Sequence, residues 1–292
     1  MAMINTSAVI FSTVGIVSSL FTVSMNTYLL VKYKKKKEDM RLFYCKFAID
    51  VLMGITEATF LTFVIFYATF YEFLKEYKNF IIYFGLSGSI LGAVRAIITL
   101  VISFERVIAT YTPIFYHNHQ SYFSPLLVMA IAIIFGSTEP ITLFGVCNYR
   151  FEIPSQCAAL GCAINQCFFQ YWNTHKLIVF AFTLTFSILL CLKLLILNKN
   201  NPSESESVQL SRVNRLALIE SAIILVFNLL QNLLAGQFPN FFSFQNLGPH
   251  GSVSKVTGCA IESYLIFVTL SRKSSEVPTD SIWQKMSINT SA

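Results

Sequence analysis

Charge is scarce in this sequence. Only 12% of its 292 residues are Asp, Glu, Lys or Arg, while 54% are hydrophobic, which is far too apolar for an ordinary soluble domain. No large soluble domain fits between the apolar runs. The net charge of +6 does not gather into a nucleic-acid patch, so nucleic acid is not an expected partner. Histidine is thin as well: His117, His119, His175 and His250 are scattered, and no metal-ligand spacing appears. Neither a metal nor another cofactor is expected. A His-Glu-x-x-His pair is missing, and Asp50 is the only aspartate inside an apolar run. An intramembrane enzyme is therefore disfavoured, and no catalytic residue is nominated.

What remains is a series of long apolar runs, at about 8–31, 42–70, 80–105, 123–147, 176–197, 213–235 and 252–270. Each is long enough to cross a lipid bilayer as a helix. The first exceeds the apolar core of a secretory signal, and its basic cluster follows rather than precedes it, so it reads as a membrane helix. The seventh is the least hydrophobic and reads as facing the bundle. The predicted fold is an all-α membrane protein, a seven-helix bundle over residues 1–271. Residues 272–292 read as a disordered, Ser/Thr-rich tail, and Asn198–Ser207 as a mobile polar connector.

The basic residues set an orientation. With the N-terminus outside, cytoplasmic segments hold Lys32, Lys34, Lys35, Lys36, Lys37, Arg41, Arg106, Lys193, Lys199, Arg212, Arg215, Arg272, Lys273 and Lys285. The opposite side holds Lys75, Lys78, Arg150 and Lys176. Fourteen against four is a strong positive-inside bias, which places the C-terminus in the cytoplasm.

The third run closes with Ser103-Phe-Glu-Arg-Val-Ile-Ala-Thr-Tyr-Thr-Pro113. Adjacent charges at a membrane boundary are expensive unless they pair or reach water. The segment resembles the Asp/Glu-Arg-Tyr end of helix three in rhodopsin-like G-protein-coupled receptors, with Ala109 and Pro113 at matching distances and Val107 where a tyrosine is usual. The resemblance implies that Glu105, Arg106, Ala109 and Pro113 form a coupling switch. Glu220, roughly two turns into the sixth run, could latch Arg106 at rest; Glu105 alone could also hold it. Further departures from that pattern are a sixth run without internal proline and a seventh without Asn-Pro-x-x-Tyr.

Cys147, Cys157, Cys162 and Cys167 crowd the fourth-to-fifth connector, on the disulfide-permissive side. At least one bridge is expected within this loop, and the sequence leaves all three connectivities open. The resemblance to rhodopsin-like receptors implies a tie from this loop to the outer end of helix three, but Phe80–Leu86 offers no cysteine, so a self-stapled lid over the bundle mouth is expected instead. The block Gly161-Cys-Ala-Ile-Asn-Gln-Cys-Phe-Phe-Gln-Tyr-Trp-Asn-Thr-His-Lys176, with Ser103-Phe-Glu-Arg and Tyr111-Thr-Pro-Ile-Phe-Tyr-His-Asn118, resembles the nematode serpentine chemoreceptors, class BC most closely. That resemblance implies a plasma-membrane receptor of sensory neuron cilia. It would bind an environmental small molecule and signal through a heterotrimeric G protein; a homo- or heterodimer is left open.

Three ionisable residues share one depth. At 1.5 Å rise per residue, Asp50, Arg95 and Glu262 lie roughly 12, 16 and 13 Å above the cytoplasmic ends of their helices. They are expected to form a buried salt-bridge cluster. Phe47–Gly54 resembles the rhodopsin-like segment whose aspartate binds sodium, and Arg95 is expected to take the ion's place. Nearer the outside, Glu57, Glu139 and Lys255 fit a ligand pocket or pair with one another. Trp172 is a candidate wall, with Tyr67, Tyr71, Phe84 and Tyr171. The competing reading is a seven-span ligand-gated channel or transporter, but no internal repeat with matched broken helices is found.

Overall fold

The computed structural model describes residues 6–33, 40–119, 124–154, 157–200, 206–238, 241 and 248–271. The 272–292 tail and the middle of the Asn198–Ser207 connector lie outside them. Among the described residues the structure is helical, without strands. Helix one is Thr6–Lys32, helix two Arg41–Thr69 and helix three Phe80–Tyr111. Helix four runs over Pro125–Pro140 and continues as a π-helical turn, Ile141–Val146. Helix five is Gln166–Asn200 and helix seven His250–Ser271. Helix six is assembled from Glu206–Ile224, a π-helical turn Leu225–Leu230, and Gln231–Gln237.

Six of these, all but the interrupted helix six, are long and apolar enough to cross a membrane. The fold is the all-α bundle that the apolar runs predict. Its outer surface carries large apolar side chains such as Leu126 (81% exposed) and Ile134 (69% exposed), a face suited to hydrocarbon and not to water. Polar residues turn inward instead. On helix one the buried stripe is Ala8, Ser12, Gly15, Ser19, Thr22, Asn26 and Leu29, the small-residue pattern by which membrane helices approach closely. At Gly54 of helix two, a Cβ would lie 2.7 Å from Val23 Cγ2. Glycine is what lets helices one and two meet there.

Helix three is the most enclosed, packing against helices two, four, five and six. Helix one packs against two and seven, and seven against six. The sequence places the start of helix five at 176, but it begins ten residues earlier, at Gln166. Asn165 accounts for the early start: its side-chain oxygen accepts from the Phe168 amide at 3.0 Å, an N-cap that satisfies an orphan donor of the first turn.

Candidate functional site

Polar and ionisable side chains gather at three levels of helix three. At its C-terminal end, Arg106 pairs with Glu105 at 2.8 Å, both about nine-tenths buried. Glu105 also accepts from the Tyr116 hydroxyl at 2.6 Å. Tyr116 sits on a short helix, Pro113–His119. Pro113 opens that helix at its first position, where a missing N–H has no cost, and so turns the chain back beneath Glu105. Burial, together with the bond to Glu105, pushes the Tyr116 phenol up to about 12. Ala109 is buried one turn below.

Glu220 does not latch Arg106. It accepts from Thr99 Oγ1 and lies 3.6 Å from Lys46 Nζ, about two turns up helix three from Arg106. Of the two restraints foreseen on Arg106, the structure holds the adjacent Glu105.

The middle level brings Asp50, Arg95 and Glu262 together. Arg95 Nε donates to Asp50 Oδ1 at 2.6 Å, and Arg95 Nη2 to Glu262 Oε2. A planar guanidinium can fork in this way between two carboxylates. Two further members were not foreseen. Lys46, fully buried, donates to Asp50 Oδ2 at 2.9 Å and to Glu262 Oε1; Glu220 adjoins it from helix six. Five charges, two cations and three carboxylates, thus tie helices two, three, six and seven. The signal for Lys46 was present in the sequence: it stands four residues before Asp50, on the same helix face.

The third level lies below the connector that joins helices four and five. Cys147–Cys167 bridges the end of helix four to the first turn of helix five, and Cys157–Cys162 closes a smaller ring within the loop. Tyr149 Oη donates to the Ala163 carbonyl at 2.6 Å and Asn165 Nδ2 to the Cys147 carbonyl at 3.0 Å. Desolvation raises the Tyr149 phenol above its ordinary value. Ile153, Cys157, Ala158, Leu160 and Ala163 are buried against Phe60, Leu61, Ile81 and Ile82. The loop is a stapled lid.

Under it, Lys255 Nζ pairs with Glu57 and donates to the Gly88 carbonyl at 3.1 Å. Trp172 Nε1 donates to Ser89 Oγ at 2.7 Å. Glu139 is fully buried, and neither carboxylate oxygen has a hydrogen-bond partner. Lys176, which the count of basic residues assigns to the outer side, belongs to helix five. Its ammonium lies 3.3 Å from the centroid of a Trp172 ring, a close cation–π contact. Tyr67 and Tyr71 meet edge to face at 5.5 Å, and Phe84 packs on Phe63, so these rings pack the lid's underside. Tyr171 shares a 2.6 Å hydrogen bond with Thr138. Gly85-Leu86-Ser87-Gly88 spells a Gly-x-Ser-Gly string, a pattern that can carry a serine nucleophile; here the Ser87 hydroxyl donates to the Phe84 carbonyl at 2.8 Å.

A family model described as serpentine type 7TM GPCR chemoreceptor Srbc matches residues 4–274. No curated protein matches the chain.

Proposed function

From the premise that the chain belongs to the serpentine seven-transmembrane chemoreceptor family Srbc, we propose that it is a plasma-membrane receptor. A small molecule bound beneath the disulfide lid shifts the bundle toward a state that engages a heterotrimeric G protein at the Arg106 end. In this reading the lid is extracellular and the Arg106 end cytoplasmic. The bias of basic residues, fourteen to three once Lys176 is placed inside helix five, supports that orientation, as do two disulfides at the opposite end, which persist in an oxidising compartment.

One observation carries the proposal: Arg106 is held by a carboxylate that is itself held by Tyr116. An interfacial arginine needed only for anchoring would reach for lipid headgroups and water. This one is folded inward, nine-tenths buried, on a pair that can open. Ligand binding can favour the open form only through contacts that differ between the two states, and the ionic core lies between the lid and the pair to transmit such a difference. Helix three runs through all three levels, and helices two, six and seven are tied to it by Asp50, Glu220 and Glu262.

The test is a G-protein dissociation assay in cultured cells expressing the chain, against a panel of small odorants and pheromones. The wild type is expected to respond to at least one compound, and Arg106→Ala at matched surface level to lose at least about tenfold in efficacy, the loss of one charge-assisted contact. A response indifferent to that substitution, or an ionic current without G protein, would contradict the proposal.

A further inference from the structure

Beneath the lid, opposite charges stand close without meeting. Glu139, on helix four, is 0% exposed, and both of its carboxylate oxygens lack a hydrogen-bond partner. Ser89 adjoins it and accepts from Trp172 Nε1 at 2.7 Å; that leaves the Ser89 hydroxyl proton to bear on the carboxylate, but a neutral hydroxyl does not balance a carboxylate's charge. Lys176, on helix five, rests its ammonium on the Trp172 ring at 3.3 Å, and among the described residues no carboxylate is ion-paired with it. A ring face attracts the cation but accepts none of its three N–H donors conventionally. Lys176 and Glu139 are near enough to act on each other's charge. Glu57 and Lys255, the other two ions of this level, are already paired with each other, and Lys255 also donates to the Gly88 carbonyl.

A buried ion without a partner is costly, and native interiors satisfy nearly all such groups. Here a carboxyl group and an amine, close enough to feel each other's charge, are left open while their neighbours are closed. A group of matching chemistry must therefore carry both signs: a cation with N–H donors for Glu139 and an acidic group for Lys176. A simple amine would leave Lys176 open, and a simple acid would leave Glu139 open. We infer that this site takes a small zwitterion of the α-amino acid class, its ammonium on Glu139 and its carboxylate on Lys176. The inference rests on the receptor reading above and gives it a ligand class. Trp172 adjoins Lys176 and offers an apolar rim to the ligand's side chain.

The probe set is the standard α-amino acids, each beside its decarboxylated amine and its deaminated acid. The full chain, purified in lipid nanodiscs, is scored by ligand-dependent shift in melting temperature and by titration. At least one amino acid is expected to bind, with its amine and its acid each about tenfold weaker or more, since each forfeits a hydrogen-bonded charge pair. Glu139→Gln is close to isosteric. It should abolish the preference for the zwitterion over the acid while leaving the preference over the amine. Lys176→Met should do the converse. A reversed pair, Glu139→Lys with Lys176→Glu, keeps one charge of each sign and should restore binding above either single reversal. Failure of every amino acid to bind, or an amine or acid equal to its parent, overturns the inference. Because binding is read without a G protein, such failure leaves the Arg106 test standing on its own.

Discussion

Lys46 is the side chain whose loss the interior can least absorb. It is fully buried and shares Asp50 and Glu262 with Arg95. Lys46→Met would leave three carboxylates around one guanidinium, and removing one partner of a buried pair costs about 3–5 kcal/mol. We expect surface expression of Lys46→Met to collapse. Glu220→Gln should be far milder, within about 1 kcal/mol, because it gives up only the long 3.6 Å pair with Lys46, while Oε1 would still accept from Thr99. Thermal unfolding in nanodiscs measures both, and equal losses would refute this division of roles.

Tyr116 carries a second expectation at the same scale. Its phenol, raised to about 12 by burial and by Glu105, keeps its proton at every physiological pH. An acid whose folded value exceeds its unfolded value, about 10, contributes stability that is full below pH 10 and fades as pH climbs toward 12. Tyr116→Phe removes the donor at all pH values and should raise ligand-free G-protein dissociation several-fold, about tenfold at most. Basal signalling unchanged in Tyr116→Phe would mean the tyrosine does not hold the Glu105–Arg106 pair shut.

Among the elements, the lid and helix six depart most from regular geometry. The Cys147–Cys167 bridge spans a sequence separation of 20, for which loop-closure entropy alone predicts about 3 kcal/mol. Replacing both cysteines by serine should lower stability by that order and reduce surface display. The Cys157–Cys162 ring, with a separation of 5, should matter less, and differential scanning of the two double variants ranks them. Helix six lacks a proline yet is not regular. Its π-helical turn at Leu225–Leu230 exposes the Phe227 carbonyl, which accepts from Ser254 Oγ at 3.0 Å. A side chain of the neighbouring helix thus satisfies a backbone group that lipid could not. At Gly258 a Cβ would come within 2.8 Å of Phe227 Cβ, so glycine is what admits helix six at that turn.

The long helices were legible because lipid demands continuous apolar segments, and so was the meeting of Asp50, Arg95 and Glu262, because one rise per residue fixes depth. Lys46 escaped that argument. Its Cα lies low in helix two, only five residues after Arg41, and the long side chain reaches to Asp50's level. Lys176 escaped because the apolar run stops where helix five does not; the preceding turns carry Gln170, Asn173 and His175, which read as loop. Which cysteine met which depended on the path of the lid backbone, a tertiary matter that spacing does not encode. The π turn of helix six had no proline or glycine within it to announce it.

For the whole molecule, the three levels of helix three acquire meaning only from their order across the membrane. If the lid end faces outward, its disulfides are in an oxidising space, the unpaired Glu139 and Lys176 meet external solutes, and Arg106 meets G protein. Reversed, each of these roles fails together. The direct measurement is epitope access on intact cells, with one tag ahead of Thr6 and another inserted between helices one and two. The account predicts that an impermeant antibody stains the first tag and reaches the second only after permeabilisation. Staining of the second tag alone on unbroken cells would contradict it.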